Sequence, residues 1–358
     1  MKKLLAVVMA AVMVLSLAAC GGAAATTDAA PAATEAAKEE AKAEAAAEAV
    51  TEAAAEAASA GKEGPYKVAL MLYSSEDEAT DVIKEGVISA AEAAGVELII
   101  GDNAGDATKT AALLQNMLLQ EPDAIIDATW DQSVGLSTSA QCKEAGIPLF
   151  TCDVEYDEYA HLIGANNYTS GRKNGEYVAE WVAANWDGQV EDVLALCEMA
   201  GGEGVRSRCQ GSLDVLDEKG MLPSEDHITW QDGKGLTDPS KTLTIDYLTA
   251  HPDSHKIFII PNNDGSALGA YNAALTMGRE DDVCICSFNA DSYAVEHFAT
   301  TEEDSWKGTV NFNLGGYGDI AIPAIVEILS TGVDNFDHEL NTETFVIDRS
   351  NAKDYYTE

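Results

Sequence analysis

From Tyr66 onward, short runs of β-branched and large apolar residues alternate with longer segments whose apolar positions recur at helical spacing. The short runs predict strands at 67–73, 96–100, 124–127 and 147–152, and the amphipathic segments predict helices at 79–94, 107–120 and 134–145. Gly95 and Gly146 stand where a helix ends in a left-handed residue, and Pro122 lies just past the second helix, where a helix cannot continue. The second half repeats the rhythm, with strands expected at 193–197, 227–230, 257–260 and 283–288 and helices at 205–219, 239–250 and 266–277. Alternation of this kind folds as parallel sheets with helices on both faces. The expected class is therefore α/β, as two doubly wound parallel-sheet lobes. Open parallel sheets hold ligands beyond the carboxyl ends of their strands, so two facing lobes place one ligand in the cleft between them.

The side chains that follow each strand are then the ones to read. Tyr73 and Asp77 follow the first strand, Trp130 and Asp131 the third, and Asp153 the fourth. In the second half the positions are Arg206 and Arg208, then Trp230 and Asp232, then Asn262, Asn263 and Asp264, and last Phe288 and Asn289. Planar Arg, Asn and Asp groups each bridge neighbouring hydroxyls, and aromatic faces cover the C–H surface of a ring, so the set suits a polyhydroxylated ligand. Taken singly, Asp and Asn also favour loops and helix N-caps with no ligand at all. Their joint placement at strand ends is what points to a site.

The remainder of the chain changes the picture in three ways. First, Lys2 and Lys3 precede an apolar run at 4–17, too short for the roughly twenty residues of a membrane helix, in the layout of an export signal. Leu17-Ala18-Ala19-Cys20 resembles the lipobox of bacterial lipoproteins, which implies cleavage after residue 19 and acylation of Cys20. Second, residues 23–64 are almost entirely Ala, Glu, Thr and Lys, with Glu40, Glu44, Glu48, Glu52 and Glu56 stacking like charges at helical spacing. Such a segment cannot build a core and reads as a solvated tether. Third, the formal charge of −40 excludes nucleic acid, which demands a basic footprint, and leaves membrane attachment to the lipid. Cys152, Cys197, Cys284 and Cys286 sit in apolar runs and read as buried small hydrophobes, so no metal or other cofactor is expected. An enzyme is disfavoured: no nucleophile elbow, metal-ligand cluster or phosphate-cradling loop appears, and the six histidines are scattered. The exported acidic leader likewise stands where a DNA-binding regulator of this class would carry a helix-turn-helix.

Several stretches carry a resemblance. They are Val68-Ala69-Leu70, Gly146-Ile147-Pro148-Leu149 with Asp153 beyond it, Arg206-Ser207-Arg208, Leu248-Thr249-Ala250-His251-Pro252, Asn262-Asn263-Asp264 with Ala267-Leu268-Gly269-Ala270, and Phe288-Asn289. From about residue 66 to 351 the chain resembles a type I periplasmic binding protein of the ribose-binding family, the solute-capturing component of sugar ABC importers. The resemblance implies lobes joined by a three-crossover hinge, with crossings near Asn166, Asn313 and Thr342, and a final strand from 343 to 348. It implies ligand contact at Asp153, Arg208 and Asn263, with Asp264 beside the cleft. Asn289 stands where the family has an aspartate, Ala79 and Thr80 replace a stacking pair of phenylalanines, Val154 replaces an arginine, and Phe312 replaces a glutamine flanked here by Asn311 and Asn313. These departures weaken ribose as the ligand and leave Trp130 or Tyr73 to supply a ring.

The expected organisation is a signal peptide at 1–19, a lipidated cysteine and tether at 20–65, one lobe from 66–166 plus 313–342, and the other from 167–312 plus 343–358. The candidate ligand-binding set is Tyr73, Asp77, Trp130, Asp153, Arg208, Asn263, Asp264, Phe288, Asn289 and Asn311, with Cys20 as the lipidation site. The expected function is that of a monomeric, extracytoplasmic, lipid-anchored binder that captures a small polar ligand, a monosaccharide first among them, and delivers it to ABC permease subunits. The alternatives are a ligand-presenting partner of a membrane sensor, or a binder of a non-sugar polar metabolite.

Overall fold

A computed structural model of the chain describes residues 61–74 and 77–356. The signal segment, Cys20 and all but the last few residues of the tether lie outside the described residues. Strand β1 (Lys67–Leu72) leads into helix α1 (Glu78–Ala94), β2 (Glu97–Asp102), α2 (Thr110–Leu118), β3 (Ala124–Ala128), α3 (Gln132–Ala145), β4 (Leu149–Cys152) and β5 (His161–Gly164). The second series runs α4 (Asn167–Asn185), β6 (Asp192–Cys197), α5 (Gly202–Glu218), β7 (Ile228–Asp232), α6 (Thr237–Ala250), β8 (Ile257–Pro261), α7 (Asp264–Met277), β9 (Val283–Asn289), α8 (Ser292–Thr300) and β10 (Trp306–Asn311). Helix α9 (Tyr317–Thr331) and strands β11 (Glu339–Asn341) and β12 (Phe345–Asp348) follow.

The strands form two six-stranded sheets, ordered β11-β5-β4-β3-β1-β2 and β12-β10-β9-β8-β6-β7. Every pairing is parallel except that of β12 with β10. The chain therefore passes between sheets after β5, after β10 and after β11. Helices cover both faces, which is why the central strands read as unbroken apolar runs: Val68–Leu72 of β1 and Ile257–Ile260 of β8 are essentially inaccessible.

Local chemistry explains most element boundaries. Asp77 caps α1 by accepting from Thr80 N at 2.9 Å, and Gly95 ends it at φ 68°. Asp131 caps α3 by accepting from Val134 N at 3.1 Å, and Gly146 ends it at φ 68°. The helix expected at 107–120 differs, opening as a 3-10 turn at Ala107–Lys109 before α2 begins. Helix α4 gave no clear signal in the sequence, because its first turns, Asn-Tyr-Thr-Ser-Gly-Arg-Lys-Asn-Gly, are poor helix formers. Its stability comes from packing. A Cβ on Gly171 would lie 2.0 Å from the Arg208 carbonyl oxygen, so only glycine lets α4 and α5 approach so closely.

Candidate functional site

The carboxyl ends of both sheets face a cavity of about 360 Å³. Asp77, Trp130, Asp153, Arg208, Asn263 and Asn289 of the expected set line it. Trp130 follows β3 in the left-handed region, at φ 57°, which turns the indole toward the cavity and lays it against Tyr73 with ring centroids 5.6 Å apart. Its Nε1–H is buried and has no acceptor among the described residues.

Asp153 sits immediately after β4, also left-handed at φ 62°, and accepts a 2.6 Å hydrogen bond from the Tyr317 hydroxyl. Gly164 makes room for it: a Cβ there would lie 2.5 Å from Asp153 Oδ1. Burial pushes the Asp153 carboxyl up, while Arg208 and Tyr317 pull it back. Arg208 projects from α5 into the same space and is buried. Its Nε donates to Asn167 Oδ1 at 2.5 Å, its Nη1 donates to the Asn262 carbonyl at 3.1 Å, and the guanidinium lies 4.7 Å from the centroid of the Phe312 ring. A guanidinium has more N–H donors than these two bonds use, and their rigid plane is already oriented.

Asn263 is partly committed to the fold. It caps α7 by accepting from Ser266 N at 2.9 Å and donates to the Gly235 carbonyl at 3.0 Å. Asn289 ends β9 at φ 105° and lines the cavity.

Four expected positions differ. Phe288 is fully buried and does not line the cavity, because alternation along β9 points it into the core, where it meets Phe312 at 5.9 Å, and presents Asn289 instead. Asp264 is likewise fully buried; it accepts from the Ser287 hydroxyl and from Asp291 N at 2.7 Å, and burial pushes its carboxyl up to about 7. It is a strut under the strand-end loops, since the first residue of α7 turns inward when Asn263 takes the cap. Tyr73 stands behind Trp130 without lining the cavity. Asn311 lines a neighbouring cavity and accepts from Asn313 N at 2.7 Å.

Sequence reasoning left out Glu198 and Asp291, both of which line the cavity. Glu198 accepts from Asn262 Nδ2 at 3.1 Å, and burial, opposed by Arg208, pushes its carboxyl up to about 7. It follows Cys197 directly, so the strand-end rule applied to the first residue past β6, eight residues before Arg206, finds it. Asp291 lies two residues past β9 and accepts from the Tyr293 hydroxyl at 2.9 Å, with its Oδ1 buried and unpartnered among the described residues. The six cysteines of the described residues are buried free thiols.

The periplasmic binding protein domain matches residues 68–332. The ribose import binding protein of Haemophilus influenzae is 24% identical over 234 residues, covering 64% of this chain and 75% of that protein. The fructose import binding protein of Bifidobacterium longum is 28% identical over 201 residues, covering 53% of this chain and 58% of that protein. Among solved structures, an ABC transporter periplasmic solute-binding protein from Actinobacillus succinogenes with bound D-allose superposes with a TM-score of 0.70 at 20% identity, covering 81% of this chain and all of that one.

Proposed function

The chain belongs to the periplasmic binding protein domain family, whose members bind solutes outside the cytoplasm and do not transform them, and we propose that it captures a monosaccharide or related polyol in the cleft and delivers it to an ABC importer. The observation that carries this reading is the pairing of a buried, preoriented Arg208 with the Trp130 ring across one cavity. A volume of about 360 Å³ is near the small end of ligand pockets, which span about 300–1,000 Å³. Both relatives named above are import binding proteins, which supports a transporter partner over a membrane sensor.

In this reading residues 66–166 with 313–342 make one lobe and 167–312 with 343–358 the other, supported by the strand membership of the two sheets. Cys20 anchors the mature chain through lipid, and the acidic tether lifts a monomeric binding domain from the membrane. Labelled fatty acid should enter the wild type and not Cys20→Ser; equal labelling would remove the anchor from the reading. The ligand assignment is tested by thermal unfolding of the mature domain against monosaccharides, polyols and non-sugar polar metabolites. A true ligand at 100 times its Kd adds about 2.7 kcal/mol. A shift confined to the non-sugar compounds would overturn the sugar assignment.

A further inference from the structure

The polar and apolar parts of the cavity wall are sorted. Trp130, Val154 and Val205 line it and pack in one continuous apolar cluster with Tyr156, to which the first half contributes Val154 and the second Val205. In a site this enclosed the wall side chains keep little accessible surface: Val154 is 2% exposed and Val205 3%, against 2% for Asn262 and 5% for Arg208. The Trp130 Nε1–H is buried, so the indole offers this corner only carbon.

The hydrogen-bonding groups nearest in the chain are held elsewhere. Asp153 precedes Val154, but its Oδ1 accepts from the Tyr317 hydroxyl, and Tyr317 packs in a different apolar cluster from Val154. Arg208 lies on the same face of α5 as Val205, one turn further along, and its Nε and Nη1 donate to Asn167 and the Asn262 carbonyl. Glu198 stands with the amides: Asn262 Nδ2 donates to it at 3.1 Å, and a Cβ on Gly235 would lie 3.2 Å from its Oε2 and 3.1 Å from Asn263 Nδ2. The cavity is therefore polar along Asp153, Arg208, Glu198 and the amides, and apolar where Trp130, Val154 and Val205 converge.

A hydroxyl placed in an apolar corner gives up its water and gains no partner, whereas a methyl there only buries carbon. The indole alone does not make this distinction, since the C–H face of any sugar ring covers it. Two branched aliphatic side chains beside the indole do. Resting on the reading of the cleft as a solute site, we propose that its preferred ligand is a deoxyhexose, whose exocyclic methyl fills the corner of Trp130, Val154 and Val205 while its ring hydroxyls meet Arg208, Asp153 and the amides. A hydrophobic pocket disfavours an added hydroxyl by about a hundredfold at most, which sets the scale of the preference.

The test is a calorimetric comparison of sugars that differ only in carrying a methyl or a hydroxymethyl: 6-deoxy-D-glucose beside D-glucose, D-fucose beside D-galactose, L-fucose beside L-galactose, and L-rhamnose beside L-mannose. In at least one pair the deoxy sugar should bind roughly ten- to a hundredfold more tightly than its parent. Val154→Thr keeps the branched shape and exchanges one methyl for a hydroxyl, so it should narrow that ratio to about threefold or less. Thermal unfolding measured beside the calorimetry registers any loss of packing, and a loss that both members of a pair share leaves their ratio unmoved. An unchanged ratio in Val154→Thr would overturn the assignment of the methyl to this corner. Parent sugars binding as tightly as their deoxy forms, or more tightly, would overturn the deoxyhexose inference and leave the cleft reading standing. Binding of none of the eight compounds would overturn it as well, and the cleft reading would then fall only if the wider panel of monosaccharides, polyols and other polar metabolites also failed.

Discussion

The two halves of the molecule follow one path, β2-β1-β3-β4-β5 in the first sheet and β7-β6-β8-β9-β10 in the second, yet their strand ends carry different chemistry. From the first half the cavity receives the Trp130 ring and the carboxylates Asp77, Glu78 and Asp153. The second half adds Glu198 and Asp291, and it alone provides the guanidinium of Arg208 and the amides of Asn262, Asn263 and Asn289. The scaffold is repeated and the site is not. With carboxylate acceptors on both sides, the planar donors on one and the indole ring on the other mean that a polyhydroxylated ligand is fully satisfied only when both sides touch it. A closed form is then favoured to the extent that ligand binds it more tightly than the open one.

The largest expected effect tests the donor side. Losing a hydrogen bond to a charged group costs about 1.5–3 kcal/mol. Asp153 would also lose its nearest cation, so Arg208→Ala should weaken the identified ligand roughly ten- to several-hundredfold at 1.4 kcal/mol per decade. Arg208→Lys should recover little, because an ammonium does not reproduce the fork. Arg208 also holds Asn167 and the Asn262 carbonyl, so unfolding must be measured beside calorimetry to separate binding from stability. Affinity within twofold of wild type would break the comparison, for the second half would then not carry the decisive donors.

A somewhat smaller effect concerns Glu198, whose carboxyl rises from 4.5 to about 7 on burial. Between those values the folded state keeps a proton that the unfolded state releases, so stability falls as pH rises through the window and levels off above it. The cost of ionising Glu198 at pH 8 is on the order of 1–3 kcal/mol. Glu198→Gln should therefore match wild type near pH 5, exceed it near pH 8, and narrow the gap between the two. Asp264, raised to a similar value, keeps part of the pH dependence in the variant. A glutamine variant less stable than wild type at pH 8 would mean that the ionised carboxylate is stabilising, against this account.

How far the site was legible follows from where each residue stands on its strand. Asp153 and Trp130 were readable because each comes within two residues of a strand whose apolar run ends sharply. Their left-handed backbones were not readable, since neither is glycine. Phe288 and Asn289 were assigned together, but a strand shows one face at a time, and β9 extends one residue further than its apolar run suggested. Asp264 lies beside the cavity and not in its lining for a similar reason: in a run of Asn262-Asn263-Asp264 the sequence does not say which residue caps the helix, and the cap decides which neighbour turns inward. The sheets themselves were plain from alternation. The connecting helix α4 was not, because its formation depends on a glycine contact with α5 that only the tertiary structure supplies.

The smallest predicted effect bears on how the halves are held together. Glu78 Oε1, in the first turn of α1, accepts a 2.6 Å hydrogen bond from Ser292 N at the start of α8, so a carboxylate of the first half meets the N-terminus of a helix in the second. A carboxylate at a helix N-terminus is stabilising, and this one is exposed, so its worth is about 1 kcal/mol or less. Glu78→Ala would remove the bond but also a carboxylate lining the cavity. Ser292→Pro is the cleaner variant: proline lacks the N–H, is well tolerated at the first helical position, and requires an extended residue before it. Asp291 already has that conformation, with φ −59° and ψ 151°. Removing the donor should loosen the closed form without melting α8. The ligand-free domain should then show a larger radius of gyration by small-angle scattering, and affinity should fall about two- to fivefold with faster dissociation. If both quantities stay at wild-type values, the bond is incidental to closure and the two halves meet only through the ligand.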